Sequence, residues 1–267
     1  MIWCNKYRWK QTSAGLSAPL VVGATGGSGT RLFQQMMDAT GYYTGSDLNE
    51  PGDAMMLEPF VNEYINPILQ RTGTLDYALE DVPGRSMKAL IKALQRHIAD
   101  KPADKARWGW KHPRSYYALP MLNALLPDMR FVHVVRDGRD IAFSSNQNPP
   151  TKHFTALFGE HYTQDCPRAA IRLWDKCNRE VAAFGARELK DRYLRVNLED
   201  MCAQPEAEIA RLLAFAGVED VQPDALLHLV QKPSSLGRWK KEDSQLVAQL
   251  EALGRPALAQ FGYLSTS

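Results

Sequence analysis

The sequence predicts an α/β fold in which a central, mainly parallel sheet is flanked by helices. Two observations favour this class. Short apolar runs alternate along the chain with stretches of helical spacing, and such alternation is typical of parallel sheets covered on both faces. The first apolar run, from Leu20, also leads through a glycine-rich loop into a helical stretch, which is a strand–turn–helix pattern.

The later elements follow from the same two patterns. Further strands are predicted from apolar runs near Arg107, at 129–135 and at 193–196. Helices are predicted from apolar residues at three- and four-residue spacing, and they cover much of 55–100 with a break at Pro83-Gly84, then about 116–126, a segment opening at Ile141, about 168–190 and about 205–216.

Three segments are predicted to be irregular. Residues 41–53 are polar and rich in turn residues, so we expect them at the open edge of the sheet. Residues 146–166 are rich in His, Phe and Pro and are predicted to form a lid-like loop. Residues 233–241 are predicted to form a basic loop between two helices.

Length and composition suit one large domain. The chain has 267 residues, and 45% of them are hydrophobic, which is ample for a core. We expect residues 1–18 to form an N-terminal arm and residues 19–267 to form a single domain. The oligomeric state is not indicated by the sequence.

Charge and cysteine usage disfavour several classes of protein. The formal net charge is +2, so no strong overall field attracts nucleic acid and any anion site must be local. No apolar run reaches the length of a membrane span, and the basic, aromatic start lacks the apolar segment of a signal peptide. The four cysteines lack metal-binding spacing and are typical of reduced thiols, so we expect a cytoplasmic location.

The glycine-rich loop is the first candidate binding site. It contains Gly26, Gly27, Ser28, Gly29, Thr30 and Arg31. Glycines let backbone N–H groups converge on an anion, and the helix N-terminus adds partial positive charge. The loop lacks the lysine of a Walker A sequence and does not fit G-x-G-x-x-G. A tight strand–helix connection without a ligand is the alternative.

Two further predicted strands end in charged groups. His112 follows Lys111, and such a pair suits a general base beside a cation, although a solvated loop histidine is the alternative. Arg136 ends the strand at 129–135, and Ser144 lies one turn into the next helix, a placement that suits a second phosphate.

Simpler interpretations of the basic segments stay open. Arg136 and Arg139 could instead form surface ion pairs with neighbouring aspartates. The run Arg238-Trp239-Lys240 is either a solvated basic face or an aromatic-and-cation cluster that stacks on a base or caps a phosphate.

Together these segments resemble the sulfotransferases that use 3′-phosphoadenylyl sulfate (PAPS). Ser28-Gly29-Thr30 is similar to the family's S-G-T loop, which holds the 5′-phosphosulfate. Arg136 and Ser144 have the spacing of the family's 3′-phosphate segment. The run from Gly237 to Lys240 is similar to its nucleotide-closing loop, and the chain ends with a similar F-G-Y. The resemblance implies a P-loop nucleotide-binding-like three-layer sandwich and a PAPS donor, without a metal.

One departure from the family concerns a positive charge. Many members carry Lys or Arg immediately before S-G-T, and this chain has Gly27 there. We expect Arg31 or Lys111 to supply the missing cation. The resemblance favours His112 as the catalytic base, and Glu50 is the rival, because carbohydrate-modifying branches use a glutamate.

The function expected from the resemblance is sulfuryl transfer to a hydroxyl or amine. The acceptor class stays open among small molecules, carbohydrates and peptides. The first alternative is a P-loop-type kinase using ATP and magnesium, which the missing Walker lysine disfavours. The second is a non-catalytic nucleotide-binding relative.

Overall fold

A four-stranded parallel sheet forms the centre of the molecule. The computed structural model describes Trp9, Gln11, residues 14–163 and residues 166–264. The strands are Leu20–Ala24 (β1), Gly109–Lys111 (β2), Arg130–Val135 (β3) and Tyr193–Asn197 (β4), in the order β2-β1-β3-β4. All neighbouring strands are parallel. The predicted parallel sheet is confirmed.

The two faces of the sheet are covered by different helices. Val21 of β1 pairs with Phe131 of β3, and both join one buried apolar cluster. The next pair along the strands, Val22 and Val132, joins a second cluster on the other face. Because successive strand residues point to opposite faces, this pattern gives a three-layer sandwich.

Helices and shorter helical turns flank the sheet. The α-helices are Arg31–Ala39 (α1), Glu58–Phe60 (α2), Asn66–Thr72 (α3), Gly84–Ala99 (α4), Leu119–Leu125 (α5), Gly138–Ala142 (α6), Asn148–Phe158 (α7), Pro167–Phe184 (α8), Leu198–Ala203 (α9), Pro205–Ala216 (α10) and Ser244–Gln260 (α11). Shorter turns join several of them, with 3₁₀ geometry at Met55–Leu57, Leu79–Asp81, Pro113–Ala118, Lys190–Arg192, Pro223–Leu229 and Arg238–Lys241, and π geometry at Val61–Ile65 and Gly185–Leu189.

Much of the predicted lid-like loop at 146–166 is helical, so the prediction of an irregular segment was wrong for α7. Two prolines lie in the first turn of this helix, where a missing N–H costs nothing. Phe154 and Leu157 are buried at helical spacing, and Gly159 ends the helix with a φ of 68°. A lid role for this segment stays a prediction.

Most of the predicted N-terminal arm, residues 1–8, 10, 12 and 13, lies outside the described residues. Trp9 is buried in the core. Further along, the Ser17 hydroxyl donates to the Ala106 carbonyl, and the Ser17 carbonyl accepts from the Trp108 indole. This end of the arm therefore packs against the entry to β2.

Candidate active site

The phosphate loop joins β1 to α1 in a conformation that depends on glycine. Gly27 has a φ of 92° and Gly29 a φ of 79°. Residues with a side chain rarely adopt this backbone conformation. The Ser28 hydroxyl donates to the Thr25 carbonyl at 2.7 Å, so this side chain closes the loop. Within the described chain, the amides of Gly29 and Thr30 donate no backbone hydrogen bond. They are available to an anion.

A buried polar chain supports the loop from below. The Asn178 amide group donates to the Thr25 hydroxyl at 3.1 Å, and the Asn178 carbonyl oxygen lies 2.9 Å from Nε2 of His133. Nδ1 of His133 lies 2.8 Å from the Tyr193 hydroxyl. Burial lowers the pKa of His133 to about 4, so the ring is neutral. The loop is thus tied to β3, β4 and α8.

Arg136 contacts both the phosphate loop and the basic loop near the C-terminus. Its guanidinium donates to the Gly27 carbonyl at 3.3 Å, to Asp140 at 2.9 Å and to the Ser235 carbonyl at 2.5 Å. The ion pairs considered from the sequence do form, since Arg139 also pairs with Asp137 at 2.7 Å. They are buried, so the expectation of surface ion pairs was wrong.

Ser144 lies beside the phosphate loop. A Cβ atom on Gly27 would lie 3.7 Å from the Ser144 hydroxyl oxygen. That oxygen accepts from the Asn146 amide at 3.2 Å. The structure therefore brings together Gly27, Arg136 and Ser144, which the sequence assigned to one donor site.

Asp140 connects this donor region to the basic loop. Its carboxylate accepts from the amide of Gly237 at 2.7 Å and from the amide of Trp239 at 3.3 Å, besides pairing with Arg136. Burial and then the nearby charge of Arg136 lower the pKa of Arg238. Two guanidinium groups thus lie near each other, only Arg136 is paired with Asp140, and such an arrangement attracts an anion.

Trp239 and Lys240 face a different part of the surface from Arg238. They line a cavity of about 660 Å³ together with Asp137, Arg139 and Glu199. The guanidinium carbon of Arg139 lies 3.6 Å from the centre of the Trp239 ring, so Arg139 covers one face of that ring. Of the three predicted residues in this loop, only Arg238 approaches Arg136.

Lys111 is buried and holds a neighbouring turn. Its ammonium group donates to the Pro51 carbonyl at 2.7 Å and forms an ion pair with Asp53. Burial lowers the pKa of Lys111, and the ion pair opposes this shift. The side chain is 1% exposed.

Arg31 and Glu50 pair with each other at the surface. Their side chains meet at 2.7 Å and are 55% and 79% exposed. Arg31 begins α1 directly after the phosphate loop, so its guanidinium can turn towards a bound phosphate when it leaves Glu50. Glu50 does not line the cavity that contains His112.

His112 lines a second cavity, of about 200 Å³, beside the phosphate loop. Ala24 and Gly26 of the loop line the same cavity, as do Tyr116 and Tyr117. Other aromatic residues, by contrast, are buried in the core, and these include Tyr42, Tyr43, Phe60 and Phe154.

Glu58 fixes the orientation of the His112 ring. Nε2 of His112 lies 3.1 Å from the Glu58 carboxylate, and because a carboxylate only accepts, Nε2 carries a proton. In the neutral ring, Nδ1 then has a free lone pair. This nitrogen is buried and has no partner among the described residues.

Four of the charged or polar side chains that line this cavity form one connected group, and they are Glu58, Arg114, Lys152 and His153. The Glu58 carboxylate accepts from Arg114 at 3.1 Å and from Lys152 at 3.2 Å. Its hydrogen bond from His112 and the charge of Arg114 hold the pKa of Glu58 well below its usual range, against the effect of burial. The carboxylate is therefore ionised.

Sequence reasoning missed these four residues. Glu58 belongs to a helical stretch without a motif, and Lys152 and His153 lie on the helix that was predicted as a loop. Arg114 follows Lys111-His112 by two positions, and this proximity was the one local signal available.

Two further properties concern membrane-spanning helices and metal sites. In the described part of the chain, no helix is both long and apolar enough to cross a membrane. The same residues contain no group of three or more His, Cys, Asp and Glu side chains arranged to hold a metal ion.

Comparison with known proteins agrees with this arrangement. The family model described as "Sulfotransferase family" matches residues 19–223. A search of curated protein sequences finds no significant match.

Solved structures of sulfotransferases share the fold. The chain is similar to the sulfotransferase domain from the curacin biosynthetic pathway, with 16% identity, 94% of this chain and 99% of that chain covered, and a TM-score of 0.52. Sulfotransferase STF1 from Mycobacterium tuberculosis H37Rv gives 14% identity, 94% and 80% coverage, and a TM-score of 0.53. Sulfotransferase STF9 from Mycobacterium avium gives 12% identity, 96% and 81% coverage, and a TM-score of 0.51.

Proposed function

Because the chain belongs to the sulfotransferase family, we propose that it transfers the sulfuryl group of PAPS to a hydroxyl or amine of an acceptor bound next to His112. One observation carries this proposal: the cavity that contains His112 is also lined by Gly26 of the phosphate loop. A donor held by the loop and an acceptor held in the cavity would meet there.

The donor would be held at both of its phosphate ends. The free amides of Gly29 and Thr30 suit the 5′-phosphosulfate, since they lie at a helix N-terminus. Arg136, Ser144 and Arg238 suit the 3′-phosphate. The sulfuryl group itself would point from the loop into the cavity.

His112 is the base that we favour. In the proposed step, Nδ1 of His112 takes the acceptor proton while the acceptor oxygen forms a bond to sulfur. The bond from sulfur to the bridging phosphate oxygen breaks, and 3′,5′-ADP leaves with the electron pair. Glu58 would orient the ring and stabilise its charged form.

Arg31 is the cation that we favour to replace the one missing at Gly27. The exposed ion pair with Glu50 holds Arg31 only weakly, because such pairs contribute about 0–1 kcal/mol. Lys111 is bound on two sides and would act indirectly, by fixing the turn that contains Asp53. The charge that develops on the leaving phosphate would thus be stabilised by Arg31 and the loop amides.

The base assignment is tested by sulfuryl transfer from PAPS to a broad acceptor panel. We expect His112→Ala to lower kcat about 100-fold or more, as loss of a general base does, while 3′,5′-ADP still binds. The exposed His161 gives a matched control, and His161→Ala should behave like the wild type. If Glu50→Gln loses turnover and His112→Ala does not, Glu50 is the base.

Calorimetry with PAPS, 3′,5′-ADP and ATP tests the donor. We expect tight binding of both nucleotides that carry a 3′-phosphate. Binding of ATP without any preference for the 3′-phosphate would contradict the proposed donor and favour a kinase.

A further inference from the structure

We propose that the acceptor carries a carboxylate, which Arg114 and Lys152 bind in the cavity that also contains His112. This inference rests on the proposed function, because it names the chemical class of the acceptor at the same site. Four observations on the cavity wall carry it.

The first observation is that Arg114 has hydrogen-bond donors to spare. Its Nε donates to His153 at 3.0 Å, and its Nη1 donates to Glu58 and to the Asn62 side chain. Within the described chain, Nη2 has no partner, although a guanidinium carries five N–H donors. Arg114 is also one of the residues that line the cavity.

The second observation concerns Lys152, which is only partly engaged. Its ammonium group contacts one described partner, a Glu58 oxygen at 3.2 Å, which leaves two of its three donors available. The side chain is 39% exposed and lines the same cavity.

The third observation is the charge of the wall. Arg114 and Lys152 share the single carboxylate of Glu58. The other carboxylate lining the cavity, that of Asp53, is paired with Lys111. Burial and the charge of Arg114 lower the pKa of His153 to about 3, so that ring is neutral. One positive charge on this wall therefore lacks a counter-ion among the described residues.

The fourth observation is that Arg114 is held rigidly. Glu58, Asn62 and Asn66 are spaced four residues apart along one continuous helical stretch, so they share a face. Asn62 accepts from Arg114 at 2.6 Å, and Asn66 lies 2.6 Å from Nδ1 of His153. Since Arg114 donates to Nε2 of His153, that ring holds its proton on Nδ1 and donates it to Asn66. A guanidinium fixed in this way holds its unpartnered Nη2 in one position, from which it can donate a charge-assisted hydrogen bond to a carboxylate.

The cavity also limits the size of the acceptor. Its volume of about 200 Å³ is below the roughly 300–1,000 Å³ typical of pockets for drug-sized ligands. Tyr116 and Tyr117 give it an apolar side. A small hydroxy acid would place its hydroxyl at His112 and its carboxylate at Arg114.

An alternative use of the same cations is to bind the sulfuryl group of the donor. The experiment separates the two uses by comparing matched acids and amides. We would titrate 4-hydroxyphenylacetate and 4-hydroxyphenylacetamide, and likewise 3-hydroxybutyrate and 3-hydroxybutyramide, into the protein saturated with 3′,5′-ADP. The members of each pair have nearly the same shape and differ in charge.

We expect at least one acid to bind about tenfold or more tightly than its amide, as a charge-assisted contact provides. Lys152→Gln should reduce this preference, and Arg114→Gln should abolish it. Lys152 is partly exposed, so its variant tests the proposal even if Arg114→Gln fails to fold. Arg71, an exposed residue of α3, supplies the control Arg71→Gln, which should keep the preference.

Equal affinity for acid and amide in both pairs, or binding of neither acid, would overturn the proposal. So would variants that weaken PAPS binding and leave the acid preference intact, because the cations would then serve the donor. If 3′,5′-ADP does not bind at all, the proposed function fails instead. The same titration on the protein alone still decides whether the cavity prefers a carboxylate.

Discussion

Arg136 connects three parts of the donor region described above. Its guanidinium links the phosphate loop, Asp140 and the loop at Ser235. Such a residue is both structural and binding, so its role in recognition must be separated from its role in folding. The comparison of two nucleotides makes that separation possible.

We predict that Arg136→Lys lowers the preference for 3′,5′-ADP over 5′-AMP by about 10- to 100-fold. A lysine keeps the charge but loses the planar fork that binds a phosphate at two points. The measurement is calorimetric titration with both nucleotides. Arg130→Lys is the matched control, because Arg130 begins the same strand and contacts the Ala216 carbonyl instead. An equal loss of affinity for both nucleotides would show that Arg136 does not read the 3′-phosphate.

Helix α7 is the element that connects the donor and acceptor sides. A Cβ on Gly26 would lie 3.0 Å from the Pro149 ring, so the start of α7 sits on the phosphate loop. Three residues later, Lys152 lines the acceptor cavity. The exact end of the helix at Gly159 therefore influences both sides.

We predict that Gly159→Ala lowers the free energy of unfolding by about 1–2 kcal/mol, because a residue with a Cβ atom adopts the left-handed backbone conformation at this cost. A Cβ there would meet no atom within 4 Å, so only the backbone conformation is tested. Gly84→Ala is the control, since Gly84 begins α4 without a positive φ and also has open space. It should be neutral or stabilising by up to about 1 kcal/mol. Urea unfolding of both variants measures the difference, and equal effects would contradict the assignment of Gly159 as a C-cap.

The elements that the sequence predicted well are those with an unambiguous apolar pattern. β3 is flanked by turns and is apolar at four of its six positions, so its type follows from the apolar pattern. α7 was missed because its two leading prolines and mixed composition resemble a loop. The features that define it, proline in the first turn and glycine just after the end, are present in the sequence and were not given weight.

Among the described residues, two buried histidines have strongly lowered pKa values and are therefore neutral near neutral pH. Burial lowers the pKa of His133 to about 4 and that of His153 to about 3. The ordinary value of about 6.5 applies when the chain unfolds. Between these values the unfolded state binds more protons, so the stability contributed by neutral burial is complete above about pH 6.5 and is lost as the pH falls.

We predict that His153→Gln reduces the pH dependence of unfolding by up to about 1.4 kcal/mol per pH unit between about pH 6.5 and 3. Above this range the wild type and the variant should have parallel stability curves. Urea unfolding at several pH values tests this prediction. Parallel curves over the acid range would mean that His153 takes up a proton in the folded state as easily as in the unfolded state.

At the scale of the whole molecule, the donor region was easier to predict than the acceptor cavity. Gly27, Arg136 and Ser144 lie at the carboxyl ends of adjacent strands, and parallel topology brings such positions together. Glu58, Arg114 and Lys152 come from three segments that meet only through helix packing. No local pattern encodes their contact, so the acceptor side emerged from the structure.

The backbone conformation of Gly27 limits how a positive charge could be introduced at this position by mutation. A Cβ atom at Gly27 would have enough space, because it would lie 3.5 Å from Ile141. The φ of 92°, however, would strain the backbone of any residue with a side chain by about 1–2 kcal/mol. Replacing Gly27 by lysine would therefore add a positive charge but strain the phosphate loop. The expected cost in stability opposes any gain that the added charge brings to donor binding.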